Sequence, residues 1–340
     1  MWSAFTAVSG LAKNFVQLAA PRLFIGIGES AITPTTMSIL SDRYDQNKLG
    51  FAAGFYYLGV PVGVGISLII AGYIEPLIGW RGCFYLLGII GLVLGFLMLF
   101  VKDVPRKSIP KNPQYPQSFW SIMKLLFKVL LMSKSLMFTV LAGTLYHVIL
   151  GAAQFEVVWA VEDKGFNGNT FAQINGWIFV VFGVLGSLFG GVASDWALRK
   201  FNLPRTWFLV ILTLLLIPFA FTRYLETDNI LFWVGICTSA FSLGAFYGPV
   251  FAVIQELVPP RIRGTVVAFN LLCLNMLGIV PGSLLMGVLS DYLIAQGYEN
   301  PYTNLLVGFS VMFLILGPPL YYLAGKFYES DKQRLKAVFN

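Results

Sequence analysis

The chain has 340 residues, 57% of them hydrophobic and only 11% charged, and carries a formal charge of +7. Soluble domains run at about 45–50% apolar and about 25% charged, so these proportions exclude a water-facing globular fold. The positive balance does not by itself point to nucleic acid, because its placement along the chain accounts for it.

Hydropathy and Gly/Pro punctuation divide the chain into ten apolar segments, at 1–12, 17–40, 50–74, 83–101, 136–160, 171–193, 206–222, 229–255, 265–289 and 304–325. A helix needs about 20 apolar residues to cross a ~30 Å hydrocarbon core, so all but the first are spans and the first is cut short. The segments are apolar all round rather than alternating with period two, which makes them helices and not barrel strands. The stretch from Lys102 to Ser135 contains KDVPRKSIPKNPQYPQ, which is basic and rich in proline, and reads as a linker over 102–135. It separates a bundle over 1–101 from a six-helix bundle over 136–326, followed by a tail at 327–340. Cys83, Cys237 and Cys273 lie inside apolar runs with no ligand-like neighbours and read as small core residues; no metal or cofactor is expected.

Eighteen of the 23 Lys and Arg fall on one face of this topology: Arg43, Lys48, the linker set from Lys102 to Lys134, Arg199, Lys200, Arg205, Arg261, Arg263 and the tail. Basic residues concentrate on the cytoplasmic side, so the linker and C-terminus are expected there, in the plasma (inner) membrane. The two bundles also match one another at an offset near 214, pairing Pro34 with Pro249, Asp42 with Glu256, Gly50 with Gly264 and Gly72 with Gly287. Both copies run in the same direction, so the repeat is parallel. Carried backward, the offset leaves two helices without counterparts, which predicts a loss of about 80 residues from a twelve-helix parent. The expectation is about nine complete transmembrane helices plus a partial first one.

Ionisable residues inside an apolar span are functional candidates, because a charge at the bilayer centre costs about 2.5–3.5 kcal/mol even on the lenient insertion scale. Arg22 and Glu29 qualify. Seven residues apart, they share a helix face but are separated by about 10 Å of rise, so each needs a partner on another helix. Glu29, near mid-segment, is the candidate proton carrier; a structural ion pair is the alternative. Gly26 and Gly28 beside it allow close helix approach. GVPVGVG, with Pro61 and Gly63, and GIVPG, with Pro281 and Gly282, are candidate hinges or packing kinks. His147, Gln154 and Glu156 are the polar residues of segment 136–160. His147 and Gln154 share a face, whereas an unbroken helix puts Glu156 about half a turn away, toward the wet outer end.

GGVASDWALRK, from Gly190 to Lys200, resembles the major facilitator superfamily, whose cytoplasmic loop carries a Gly, small, Asp, basic motif. IGWRGCF, with Trp80 and Arg81, looks like the turn entering that family's sixth helix. WSAFTAVSGLAKNF, RLFIGIGES and GPVFAVIQELVPPRIRG are similar, more particularly, to the spinster branch and its bacterial members. The resemblance implies an all-α membrane protein of the two-bundle, major facilitator type, working by alternating access. It implies that Asp195, Arg199 and Lys200, with Asp42, Arg43 and Glu256, form a cytoplasmic gate, and that Glu29 and Arg22 stand at the coupling carboxylate and membrane arginine. It also implies a proton-coupled carrier of a small amphipathic or anionic organic solute, lysolipid-like, acting as a monomer in the bilayer. Sugar acids, other organic anions and drugs are alternative cargoes, and a transport-inactive truncated product is the alternative to transport. No Ser/His/Asp, HExxH or Gly-Lys phosphate motif argues for an enzyme.

Overall fold

The computed structural model describes residues 1–102 and 118–339. Among these, nine helical spans are long and apolar enough to cross a membrane: Phe15–Arg43, Gln46–Tyr73, Glu75–Met98, Lys134–Glu162, Gly168–Phe201, Arg205–Tyr224, Ile230–Leu257, Arg263–Ala295 and Pro301–Val338. A short helix α1 (Trp2–Ser9) precedes them. The first three spans comprise α2 (Phe15–Glu29) with α3 (Ile32–Arg43), α4 (Leu49–Tyr57) with α5 (Gly59–Tyr73), and α6 (Glu75–Met98). The second group comprises α8 (Lys134–Ala152) with α9 (Glu156–Glu162), α10 (Gly168–Ile178) with α11 (Val184–Phe201), α12 (Arg205–Phe221), α13 (Ile230–Leu257), α14 (Arg263–Leu272) with α15 (Val280–Ala295), and α16 (Pro301–Phe339). Between the groups, α7 (Phe119–Met132) buries Leu126 and Val129 against the second.

Two sequence expectations change here. Part of the expected linker is helical, since α7 occupies 119–132, while Arg106, Lys107 and Lys111 lie outside the described residues. The expected tail at 327–340 is also structured: α16 runs unbroken to Phe339, with Tyr328, Asp331 and Leu335 buried. The Asp331 carboxylate accepts the Ser135 amide at 2.7 Å and the Ser133 hydroxyl at 3.3 Å, tying α16 to the start of α8. The turn expected at Trp80 is present as a kink in α6 at Gly79, whose φ of 70° favours glycine.

Lipid tails are as apolar as leucine, so helices in a bilayer associate through close packing of small residues rather than hydrophobic exclusion. The chain follows that rule. A Cβ added at Gly186 would stand 2.0 Å from the Phe241 carbonyl oxygen, and one at Gly190 2.1 Å from that of Ala245, so α11 and α13 touch backbone to backbone. The two helix groups meet along a second glycine seam, α4–α5 against α10–α11, where Gly50 faces Gly191 and Gly65 faces Gly176. Tyr57 of α4 crosses this boundary and stacks on Tyr247 of α13, with centroids 4.5 Å apart, and on Phe251 at 4.6 Å. Among the glycines and prolines expected to pack or hinge, a Cβ added at Gly282 would stand 2.1 Å from the Val148 carbonyl oxygen, and Pro61 lies where a Cβ on Gly183 would fall. Pro281 opens α15 directly after a π-helical turn at Cys273–Ile279. A Cβ added at Gly28 would meet Trp2 at 3.3 Å, whereas one at Gly26 or Gly63 would meet nothing within 4 Å among the described residues.

Gly186→Ala is therefore expected to lose about 1–3 kcal/mol of stability by forcing α11 off α13. Gly63→Ala, with room for its methyl group, is expected to be neutral or slightly stabilising. Heat-induced unfolding of the purified protein in detergent separates the two.

Candidate functional site

Three polar constellations stand out against the apolar helices. The first is built on Asp195, near the end of α11. Asn202 closes that helix in the left-handed conformation, φ 51°, and the chain turns back through Pro204 so that Arg205 opens α12 beside Asp195. The Asp195 carboxylate accepts the Gly50 amide at 3.0 Å and the Phe51 amide at 2.8 Å, capping the first turn of α4 in the other helix group. Free amides and the helix dipole make such an N-terminus an anion site. Arg205 Nη2 donates to Asp195 Oδ1 at 2.5 Å and to the Gln46 carbonyl at 2.6 Å, while Nη1 pairs with Glu256 of α13. The Tyr328 hydroxyl of α16 donates to the other Glu256 oxygen at 2.5 Å. The Arg205 side chain is 0% exposed.

This assembly includes Asp195 and Glu256 from the expected gate and leaves the rest of that set outside. Arg199 reaches only the carbonyl of Asp195, at 3.4 Å, and Lys200 lies over the Trp196 and Phe201 rings. Asp42 interacts electrostatically with Arg263 across the group boundary. Arg43 closes α3, outside the Arg205 cluster. Asp42 and Glu256, matched by the internal repeat, thus each face an arginine. Arg205, the organising cation, was counted from sequence only as one of many basic residues at that end.

The second constellation is α2. Arg22 and Glu29 are exposed, and the Arg22 guanidinium sits 5.2 Å from the centre of the Phe84 ring on α6. Arg22 thus has a partner on another helix, as the sequence reading required, whereas Glu29 has no hydrogen-bond or ion-pair partner among the described residues.

The third lies wholly within the second helix group, at the end away from Asp195. A cavity of about 140 Å³ is lined by α8, α9, α10, α12, α13 and α16 and the turns beside them, apolar along most of its length and polar at one end. There Arg223 forms an ion pair with Glu156 and packs its guanidinium over Trp159, 4.9 Å from the ring centre. Asn175 donates to Glu156 at 3.1 Å, and Tyr224 bonds Ser310 at 3.0 Å. Glu156 was expected out of phase and wet. A tight 3-10 turn at Ala153–Phe155 breaks the helix instead and rotates Glu156 inward. Gln154, on that turn, is exposed. His147 is buried outside the cavity lining, its Nδ1 on the Gly143 carbonyl at 2.8 Å and its Nε2 on the Tyr247 hydroxyl at 3.2 Å. Arg223 was not singled out from the sequence; it is the sole Lys or Arg between Arg205 and Arg261, and that isolation was the available signal.

Nine candidate spans in two packed groups, with a polar clasp between the groups and an amphipathic cavity inside one, define a multi-pass membrane protein of the transporter type. The chain belongs to the Major Facilitator Superfamily, whose family model matches residues 1–283, and so to a family of transporters rather than enzymes. It is 25% identical over 97% of its length to an "MFS-type efflux pump" of Mycolicibacterium smegmatis, spanning 76% of that protein. It is 24% identical over 86% of its length to a "probable sphingolipid transporter spinster homolog 2" of Arabidopsis thaliana, spanning 62% of that relative. In structure it is similar to a bacterial homologue of the human lysosomal transporter spinster, crystallised inward-facing and unoccupied, with a TM-score of 0.69 at 22% identity. That likeness covers 97% of this chain and 82% of the other. The resemblance to the spinster branch read from the sequence strings is borne out.

Arg205→Met is expected to cost about 3–5 kcal/mol, because it strands two buried carboxylates. Adding Asp195→Asn and Glu256→Gln removes the stranded charges and is expected to recover part of the loss. Denaturant titration of the single and triple variants in detergent checks both.

Proposed function

We propose that this protein is a proton-coupled secondary transporter of a small amphipathic or anionic organic solute, moving it by alternating access between its two helix groups. The observation that carries the reading is the Asp195–Arg205 clasp, in which one group grips the helix N-terminus of the other through polar contacts alone. Such contacts hold well when dry and exchange readily for water, as a gate must. A glycine seam brings the backbones of the two groups together, with Tyr57 stacked across it on Tyr247 and Phe251, and the groups rock on either side of it. The basic residues set the Asp195 end and the C-terminus on the cytoplasmic side of the plasma (inner) membrane. The clasp is then the inner gate.

In this reading Glu29 takes up and releases the coupling proton, and Arg22, about two turns away on the same face of α2, biases its charge or meets the anionic group of the solute. Neither side chain is locked into a buried ion pair, which supports a changeable rather than structural role. The printed name of the Arabidopsis relative, a probable sphingolipid transporter, favours a single-chain lipid as cargo. The protein acts as a monomer, since one chain supplies both groups and the clasp between them.

Uptake into proteoliposomes tests the reading. With a lysophospholipid supplied outside and a proton gradient imposed, the parent chain is expected to accumulate it, and Glu29→Gln to lose the dependence on the gradient. Equal uptake by both, driven or not, overturns the coupling role. Absence of uptake by inserted, folded parent chain overturns the transport reading. For the gate, Met37→Cys is the reporter, because Met37 is buried against Gln255 across the group boundary. Its reaction with a water-soluble maleimide is expected to quicken several-fold when Asp195→Asn is added.

A further inference from the structure

Helix α7 belongs neither to a span nor to the clasp. Its 14 residues fall short of the roughly 20 that a crossing helix needs, and Ser133, extended at φ −120° and ψ 100°, ends it before α8 begins its own span at Lys134. One face packs on the second helix group, with Leu126 at 2% and Val129 at 0% exposure. The opposite face is apolar as well. At about 100° per residue, Trp120, Phe127 and Leu131 fall within roughly 20° of one line along the helix. They are 74%, 54% and 81% exposed. Lys124 and Lys128, one turn apart and both exposed, run along one edge of this stripe, and the stretch from Ser118 to Ser133 contains no Asp or Glu.

Water suits such a stripe poorly, and the acyl region suits the lysines poorly. A Trp, Phe and Leu face edged by Lys fits the layer between them, where head groups meet acyl chains. The level of α7 in the molecule agrees. The Phe127 ring packs on Phe269 of α14, with centroids 6.4 Å apart, and Phe269 lies within the first two turns of the span that begins at Arg263, about 9 Å along its axis. At the other end of α7, Arg334 of α16 donates to the Met132 carbonyl at 3.2 Å, which holds the helix at the point where α8 starts. The lysines select the lipid. Each one held near an anionic surface strengthens attachment roughly fivefold, whereas a zwitterionic surface sets an ammonium beside every phosphate.

We propose that α7 is a docking surface for anionic lipid. It lies in the head-group layer at the clasp end of the bundle, with Trp120, Phe127 and Leu131 against the acyl chains and Lys124 and Lys128 on the phosphates. This surface is independent of what the protein carries and of how transport is driven.

The experiment uses the full chain, with Cys83, Cys237 and Cys273 replaced by serine, in nanodiscs holding one copy each. Leu131→Cys carries a bimane fluorophore, and the discs contain phosphatidylcholine and phosphatidylglycerol in equal parts, with a nitroxide on the acyl chain of one or the other. Quenching is expected from both lipids and to be several-fold stronger from phosphatidylglycerol. Lys124→Gln with Lys128→Gln is expected to bring the two lipids level, and Lys124→Arg with Lys128→Arg to keep the preference. A bimane that neither lipid quenches overturns the proposal, because protein or water then covers the face. Equal quenching of the parent by the two lipids overturns it too, as does a preference that the glutamine pair leaves unchanged. Quenching that disappears in discs holding two copies assigns the face to a second copy of the chain and overturns it likewise.

Discussion

A guanidinium with no exposed surface is tolerated in an apolar bundle only when carboxylates and carbonyls surround it, because stripping water from an ion costs several kcal/mol even after the protein relaxes. Arg205 imposes that condition on everything near it. It draws Asp195 from α11, Glu256 from α13 and the Gln46 carbonyl from the other helix group to one point. Asp195 in turn needs more donors than one arginine supplies, and the first-turn amides of α4 provide them. Glu256 takes its second donor from Tyr328, which brings α16 into the cluster beyond the membrane-spanning apolar stretch. One buried cation therefore fixes the relative positions of five helices and the contact between the two groups.

The contrast with the opposite end of the same seam gives the arrangement a direction. There the group boundary is crossed by the neutral bond from Gln173 to the Gly72 carbonyl, 2.8 Å long. Neutral hydrogen bonds contribute about 1 kcal/mol and those to charged groups about 1.5–3 kcal/mol, so the Arg205 end is the more firmly held. Between the two ends, Gly54, Gly65 and Gly176 bring backbones into contact, and Tyr57 stacks across the boundary on Tyr247 and Phe251. A firmly held end beside a closely packed middle suits the proposed rocking, in which the clasp opens when its charges are solvated or neutralised.

Much of this was legible in the sequence, for physical reasons that also explain what was not. Spans follow from desolvation, which composition records directly, and the Asp195 motif follows from a local loop whose residues are contiguous. The partners that complete the site are not local. Arg205 and Glu256 lie 51 positions apart, and nothing in their own segments distinguishes Arg205 from a basic residue resting at a lipid surface. Glu156 was placed on the wrong side because helical periodicity assumes an unbroken helix, and a three-residue turn at 153–155 rotates everything after it. The same periodicity put Gln154 beside His147, whereas Gln154 is exposed and His147 is satisfied by a carbonyl and a tyrosine. The segment 327–340 read as a tail because Lys332, Arg334 and Lys336 stand out in it; its packing rests on Tyr328, Asp331 and Leu335, which are buried and spaced three to four residues apart on one helix face.

The distance between the helix groups at the Arg205 end, followed by paired spin labels, tests the central claim most directly. With Cys83, Cys237 and Cys273 replaced by serine and labels at Asp45→Cys and Asn202→Cys, pulsed EPR reports how far the two groups stand apart. The clasp account predicts a short distance in the parent and a second, longer population when Asp195→Asn is introduced, growing further when the protein is supplied with solute and a proton gradient. A single short distance, unchanged by the substitution and by the gradient, would contradict it and make the Arg205 cluster a structural rivet instead of a gate.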